Sequence, residues 1–169
     1  MITIYYWAAM KKFQGRGFPI ALALEFAGVP YEVLGNDDLP ESFCFAVPIV
    51  KLSTGQLMSQ TPMIMDVLGS EFGLGGSTPA EKVDCKQLLL DFNDMFDEVQ
   101  KDGKWTAENG RQDKWFALVE KRLQASKFLV SSEITVADLH AFWFASWFSE
   151  MSEVSAVKKL TTNGVQIFP

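Results

Sequence analysis

The order of extended and helical segments near the start of the chain constrains its fold more than any other feature. Residues 2–7 are β-branched and aromatic, which is typical of a strand buried on both faces. Pro19 then opens an apolar helical run, where its missing N–H costs nothing, and Gly28 is placed to end that helix. Residues 31–34 predict a second short strand. The chain therefore begins with a strand-helix-strand unit, in which residues 8–15 are predicted to form a loop.

The next segments complete an α/β domain. A polar loop at residues 36–42 is followed by two strands, at residues 47–52 and 56–58, which a tight turn connects. Residues 62–68 predict a helix, with Thr61 as its N-cap. A strand-helix-strand unit followed by a hairpin and a helix is the thioredoxin-like order.

The remainder of the chain is predicted to be helical. Residues 69–76 contain four glycines and predict a linker between two domains, residues 1–74 and residues 75–169. Capping boxes and apolar helical spacing then predict helices that begin near residues 78, 111 and 135. The predicted fold is therefore an α/β thioredoxin-like domain followed by an all-α domain.

Composition excludes several classes of function. The net charge is −6 and no stripe of Lys and Arg is present, which argues against a nucleic-acid binder. Cys44 and Cys85 lie far apart, and His140 is the single histidine, so no metal site or redox pair is predicted. Hydrophobic residues make up 48% of the chain, which is ample for a packed core.

The location of the protein is predicted only coarsely. The first residues lack the basic start and apolar stretch of a signal peptide. Residues 139–148 are apolar but shorter than the roughly 20 residues that span a bilayer. These features predict a cytoplasmic protein without a membrane span. A location inside an organelle stays open as an alternative if a targeting peptide has been removed.

Five motifs in order along the chain together resemble the glutathione transferase family. They are Tyr6-Trp7 ahead of Arg16-Gly17, residues 27–32 (AGVPYE), residues 47–50 (VPIV), residues 60–64 (QTPMI) and residues 134–138 (ITVAD). The resemblance implies a glutathione-binding first domain and a helical second domain, here expected to be short and to lack the last helices of longer relatives. It also implies a transferase of the detoxification type, with glutathione as co-substrate, a small hydrophobic electrophile as acceptor, and no metal.

The same resemblance assigns the catalytic role to Tyr6. A free thiol has a pKa of about 8.5 and is only a few per cent ionised at pH 7. A tyrosine hydroxyl that donates a hydrogen bond to the sulfur would stabilise the thiolate. Tyr5 precedes Tyr6, so the register leaves open that Tyr6 is an ordinary core aromatic of the strand.

The resemblance also assigns glutathione binding to two segments of the first domain. Val47 precedes the family's cis-proline, Pro48, and its backbone would pair with the cysteinyl part of the ligand. Gln60 and Thr61 lie at a helix start, whose free N–H groups and dipole favour a carboxylate. Purely structural interpretations stay open at both places. Pro48 could simply begin a strand after a loop, and Thr61 could simply cap a helix.

Two further binding residues are implied by the resemblance. Trp7, which follows Tyr6 directly, is one of them. Asp91 or Asp94, on the first helix of the second domain, would offer a negative charge to the α-amino group of glutathione, across a dimer interface in one arrangement.

Departures from the family pattern leave three functions open. Residues 8–13 look like an insertion, Phe18 and Ala46 stand where relatives carry polar or basic residues, and residues 36–45 are too short for a further helix. The first hypothesis is a tyrosine-type glutathione transferase. The second is a non-catalytic subunit or docking module of a larger protein assembly, and the third is a carrier of apolar ligands. The homodimer is an expectation from the family.

Overall fold

A computed structural model describes residues 1–11, 15–102 and 111–148. Its sheet has four strands: β1 (Ile2–Tyr6), β2 (Tyr31–Gly35), β3 (Ile49–Lys51) and β4 (Leu57–Ser59). Their order is β2-β1-β3-β4, with β1 parallel to β2 and antiparallel to β3, and β3 antiparallel to β4. The four strands lie within or close to the ranges that the sequence pattern predicts.

Two helices accompany the sheet. Helix α1 (Phe18–Phe26) begins with Pro19 in its first turn, as predicted, and Gly28 follows its end with a positive φ of 66°. Helix α2 (Thr61–Glu71) runs further than the predicted 62–68. The two helices pack against each other, and most of their apolar side chains are buried with those of β1 and β3.

Three further helices form the described part of the second region: α3 (Pro79–Asp102), α4 (Arg111–Ala125) and α5 (Val136–Phe148). The capping box predicted before α3 is present, because the Glu81 side chain accepts the N–H of Thr78 and the Thr78 hydroxyl accepts the N–H of Glu81. At the start of α5, Asp138 Oδ2 accepts both the N–H and the hydroxyl of Thr135. The thioredoxin-like domain followed by helices is therefore confirmed, and residues 149–169 lie outside the described residues.

The helical region packs directly on the first domain. Helix α3 contacts α2 and α5, and α5 also contacts α1. A Cβ atom on Gly69 of α2 would lie 2.8 Å from Val136 Cγ2, so the absence of a side chain lets α2 approach the start of α5.

The loop predicted at residues 8–15 contains short 3-10 turns at Trp7–Met10 and Gly15–Gly17, and its residues 12–14 lie outside the described residues. One local prediction is corrected. The sequence predicts Thr61 as the N-cap of α2, but the N-cap is Gln60 and no side chain caps the helix. The Thr61 hydroxyl instead bonds to a distant segment of the backbone, because packing brings that segment within its reach.

Candidate functional site

One edge of the sheet gathers the predicted site residues. Strand β1 ends at Tyr6, and its register pairs Tyr5 with Ile49 of β3, which follows Pro48 directly. Ile49 in turn pairs with Ser59, the residue before Gln60. Because these antiparallel pairs lie side by side, the end of β1, the start of β3 and the end of β4 meet at one edge.

The Tyr6 hydroxyl has a backbone partner. The N–H of Arg16 donates a 3.0 Å hydrogen bond to Tyr6 Oη. The Tyr6 residue is only 3% exposed. Burial raises the pKa of the Tyr6 hydroxyl above its ordinary value, and the Arg16 N–H and positive charge oppose that rise. Tyr6 is therefore a neutral phenol at physiological pH.

Thr61 also forms a hydrogen bond with the backbone of Arg16. Its hydroxyl donates a 3.1 Å hydrogen bond to the carbonyl oxygen of Arg16. Thr61 is buried, whereas its neighbour Gln60 is exposed and has a φ of 71°. The backbone of Arg16 thus connects the Tyr6 hydroxyl to the first residue of α2.

The Arg16 side chain extends this connection to the second region. Its guanidinium donates hydrogen bonds to Asn93 Oδ1 and Asp97 Oδ1 of α3, and it lies 4.4 Å from the centre of the Phe96 ring. Sequence reasoning used Arg16 only as part of the opening motif and did not single out Asn93 or Asp97. Their spacing of four on a helix places both on one face, but nothing in the sequence shows which helix face meets Arg16.

The remaining predicted residues are placed as follows. The Val47–Pro48 peptide bond is cis, as the resemblance implies. Trp7 is 55% exposed and follows Tyr6 directly. Asp91 accepts a 2.8 Å hydrogen bond from Gln87 Nε2, one turn earlier on its own helix, so this contact is local and does not involve the Tyr6 edge. The role of Asp91 stays a prediction.

Two other kinds of site are absent from the part of the chain that the structure describes. Residues 1–11, 15–102 and 111–148 contain no group of three or more His, Cys, Asp or Glu side chains that could hold a metal ion. Within the same ranges, no helix has the length and apolar character needed to cross a membrane.

Comparison with known proteins supports one family. Residues 96–161 match the family model of the glutathione S-transferase C-terminal domain. The chain superimposes on solved glutathione transferases, among them the enzyme of Ascaris lumbricoides, with a TM-score of 0.80 and 22% identity over 99% of this chain and 93% of that one. The chain therefore has the glutathione S-transferase fold, and its residues 96–161 are similar to the C-terminal domain of that family. No curated protein sequence matches it.

Two other structures show the range of proteins with this glutathione transferase fold. Monomeric Na-GST-3 from the hookworm Necator americanus gives a TM-score of 0.78 at 20% identity, covering 99% of this chain and 92% of that one. The prostaglandin synthase D of Nilaparvata lugens gives 0.74 at 18% identity, covering 98% and 92%. Identities this low establish the fold, and the activity must be argued from the site.

The departures of this chain from the glutathione transferase sequence pattern are visible in the structure. Between β2 and β3, the Asn36–Asp38 segment forms a single 3-10 turn, and residues 39–48, all of them described, contain no α-helix. Ala46 is exposed, and Phe18 is half-buried against the core. Phe45 is 95% exposed and does not fill a cleft.

Proposed function

We propose that the protein binds glutathione and transfers it to a small hydrophobic electrophile, with Tyr6 as the thiol-activating hydroxyl. One observation carries this proposal. The Arg16 backbone accepts from Thr61 and donates to Tyr6, so the thiol donor and the start of α2 are held at a common sheet edge. Such an arrangement positions a donor hydroxyl and a carboxylate site for one ligand.

The chemistry requires a neutral hydroxyl that donates. The raised pKa of Tyr6 keeps its proton in place at neutral pH. The hydrogen bond that Tyr6 Oη accepts from Arg16 polarises the O–H group and makes it a better donor. Glutathione then loses its thiol proton to solvent, the sulfur lone pair forms a bond to the electrophilic carbon, and the displaced electrons leave with the leaving group. Tyr6 stabilises the thiolate throughout and keeps its own proton.

The start of α2 supplies the second part of the proposed site. The first N–H groups of an α-helix lack intrahelical acceptors and carry the positive end of the helix dipole. Gln60 is exposed there and can offer its amide to the γ-glutamyl end of glutathione. Cis-Pro48 adjoins this helix start through the β3–β4 pairing, so Val47 can present its backbone to the cysteinyl part.

Calorimetric titration with glutathione tests the proposal. We expect micromolar to millimolar binding, which Thr61→Val weakens about tenfold, because Arg16 loses the hydroxyl that holds its carbonyl. Thr61→Ser keeps the hydroxyl and should bind like the original protein. Tyr6→Phe should leave affinity within a few fold but raise the pKa of the bound thiol, measured from the ultraviolet absorption of the thiolate.

Tyr5→Phe is the matched control for the thiol measurement. Tyr5 lies on the same strand and is also buried, but it points to the opposite face of the sheet. The same chemical change there should leave the thiol pKa unaltered. No detectable glutathione binding to the original protein would reject the proposed function.

A docking module is the second candidate, and two features of the surface favour it. Phe43 and Phe45 are fully exposed on the loop before β3. A groove of about 200 Å³ between α2 and α3 is lined mainly by apolar side chains, among them Pro62, Met63 and Leu89. We propose that a second copy of the chain is the partner, with an exposed phenylalanine against this groove.

Sedimentation velocity tests the dimer. Met63→Glu places a charge in the apolar groove and should convert a dimer to a monomer, whereas Ala117→Glu on the exposed face of α4 should not. A monomer at all concentrations in the original protein would reject the dimer and leave the glutathione site untouched.

A further inference from the structure

The segment that follows Tyr6 has an unusual backbone. Three consecutive non-glycine residues have positive φ, with 45° at Ala8, 50° at Ala9 and 62° at Met10. L-residues seldom adopt this left-handed conformation, and then usually one at a time, because Cβ approaches the following carbonyl oxygen. A run of three therefore persists only where the surrounding contacts hold it.

Those contacts place the segment over the Tyr6 end of the sheet. The turn is closed by a 3.1 Å hydrogen bond from the Lys11 N–H to the Ala8 carbonyl. The Trp7–Met10 segment packs on β2 and on the Asn36–Asp38 turn. These contacts fold the chain back from the end of β1.

Met10 is the residue that reaches the candidate site. Its side chain packs on the hydrophobic core beside Tyr6. A Cβ atom on Gly17 would lie 3.1 Å from Met10 Sδ and 3.2 Å from Tyr6 Cδ1, so both side chains meet at this glycine. Tyr6 is 3% exposed in this arrangement. A glutathione sulfur would have to reach the hydroxyl of this almost wholly buried residue.

We propose that the Trp7–Met10 segment is an autoinhibitory cover, closed over Tyr6 in the free protein and displaced when glutathione binds. The left-handed run raises the energy of the closed form, so that opening it relieves backbone strain. The ligand thus selects a form in which the segment adopts ordinary backbone angles. The inference rests on the proposed function because it takes Tyr6 as the thiol donor.

Two double variants should shift the equilibrium between the closed and open forms of the cover in opposite directions. The glycine variant, Ala8→Gly with Ala9→Gly, makes positive φ inexpensive and favours the closed form. The valine variant, Ala8→Val with Ala9→Val, adds β-branched side chains, which disfavour positive φ and favour the open form. Met10→Ala removes the side chain next to Tyr6 without altering the backbone preference. It takes the place of the valine variant in the test if the valine variant does not fold.

Glutathione affinity is the first measurement. The glycine variant should bind more weakly, and the valine variant more tightly, by roughly fivefold to tenfold. Met10→Ala should strengthen binding in the same direction as the valine variant. Ala117→Gly and Ala117→Val, on the exposed face of α4, are the matched controls and should leave affinity unchanged. Equal affinities across the cover variants would overturn the proposal.

Ligand-free titration separates the cover from the proposed function. The ultraviolet band of tyrosinate, taken as the difference from Tyr6→Phe, reports the pKa of Tyr6 alone. Opening the cover exposes the hydroxyl, so the pKa should fall toward about 10 in the valine and Met10→Ala variants and stay high in the glycine variant. A Tyr6 pKa that is the same in all variants would overturn the cover. A pKa that responds while no variant binds glutathione would support the cover and reject the glutathione function.

Discussion

The guanidinium of Arg16, just before α1, forms an ion pair with the carboxylate of Asp97 on α3. The backbone of the same arginine holds the Tyr6 hydroxyl and the Thr61 hydroxyl. One residue therefore joins the sheet edge, α2 and the helical region.

Arg16→Ala should lower the free energy of unfolding by about 1–3 kcal/mol, because the side chain loses its bonds to Asn93 and Asp97 and its contact with Phe96. Urea unfolding measures the change. The ion pair is about one-third exposed, so a double-mutant cycle with Asp97→Ala should give a coupling of only about 0.5–1 kcal/mol. Additive single effects would show that Arg16 and Asp97 do not interact energetically.

Removal of the Asp138 carboxylate should be more damaging. Asp138 is buried and accepts bonds from the Leu129 N–H and from the N–H and hydroxyl of Thr135. Asp138→Ala leaves these donors without their acceptor and should cost about 3–5 kcal/mol. Asp113→Ala, in the first turn of α4 and exposed, is the control and should cost under about 1 kcal/mol. Similar losses at both positions would contradict this explanation.

The buried, neutral state of His140 should be visible in the pH dependence of the free energy of unfolding. It is buried between Phe92 and Trp143, and burial, assisted by the Arg16 charge, lowers its pKa from 6.5 to about 3. The unfolded chain binds the proton first as pH falls, so the contribution of neutral His140 is complete above about pH 6.5. It is then lost toward about pH 3, by up to about 1.4 kcal/mol per pH unit.

His140→Phe isolates this effect from other titrating groups. The buried Asp138 has a raised pKa and opposes the trend, because its protonation favours the folded state in acid. Both proteins contain Asp138, so the difference between their unfolding free energies at about pH 7 and about pH 5 reports His140. Parallel pH profiles of the two proteins would count against a buried neutral histidine.

Two glycines with nearly the same backbone angle should respond differently to alanine. Gly55 has a φ of 90° and open space where a Cβ atom would stand, whereas Gly76 has a φ of 93° and a Cβ there would lie 2.8 Å from Glu81 Cβ. Gly55→Ala should cost about 1–2 kcal/mol from the backbone alone. Gly76→Ala adds a collision at the start of α3 and should cost at least about 1 kcal/mol more. Equal losses in thermal unfolding would exclude the steric contribution.

The sequence alone determined the features that depend on neighbouring residues. The strand-helix-strand unit, the hairpin, the starts of α1 and α3, and the capping pair Thr135 and Asp138 all follow from residues close together in the chain. Local sterics and hydrogen bonding decide such elements, so they can be inferred without knowledge of their tertiary partners. The cis bond before Pro48 was expected from the family resemblance and not from local chemistry.

Only the tertiary structure decided how these elements act together. The Thr61 hydroxyl could cap its own helix or bond elsewhere, and the folded chain directs it to the Arg16 carbonyl, 45 positions away. Asp97 meets Arg16 across 81 positions, and the left-handed turn at Ala8 depends on contacts with β2. Such choices depend on competition between distant partners for the same donor or surface. Their outcome is fixed by packing, which is a property of the whole chain.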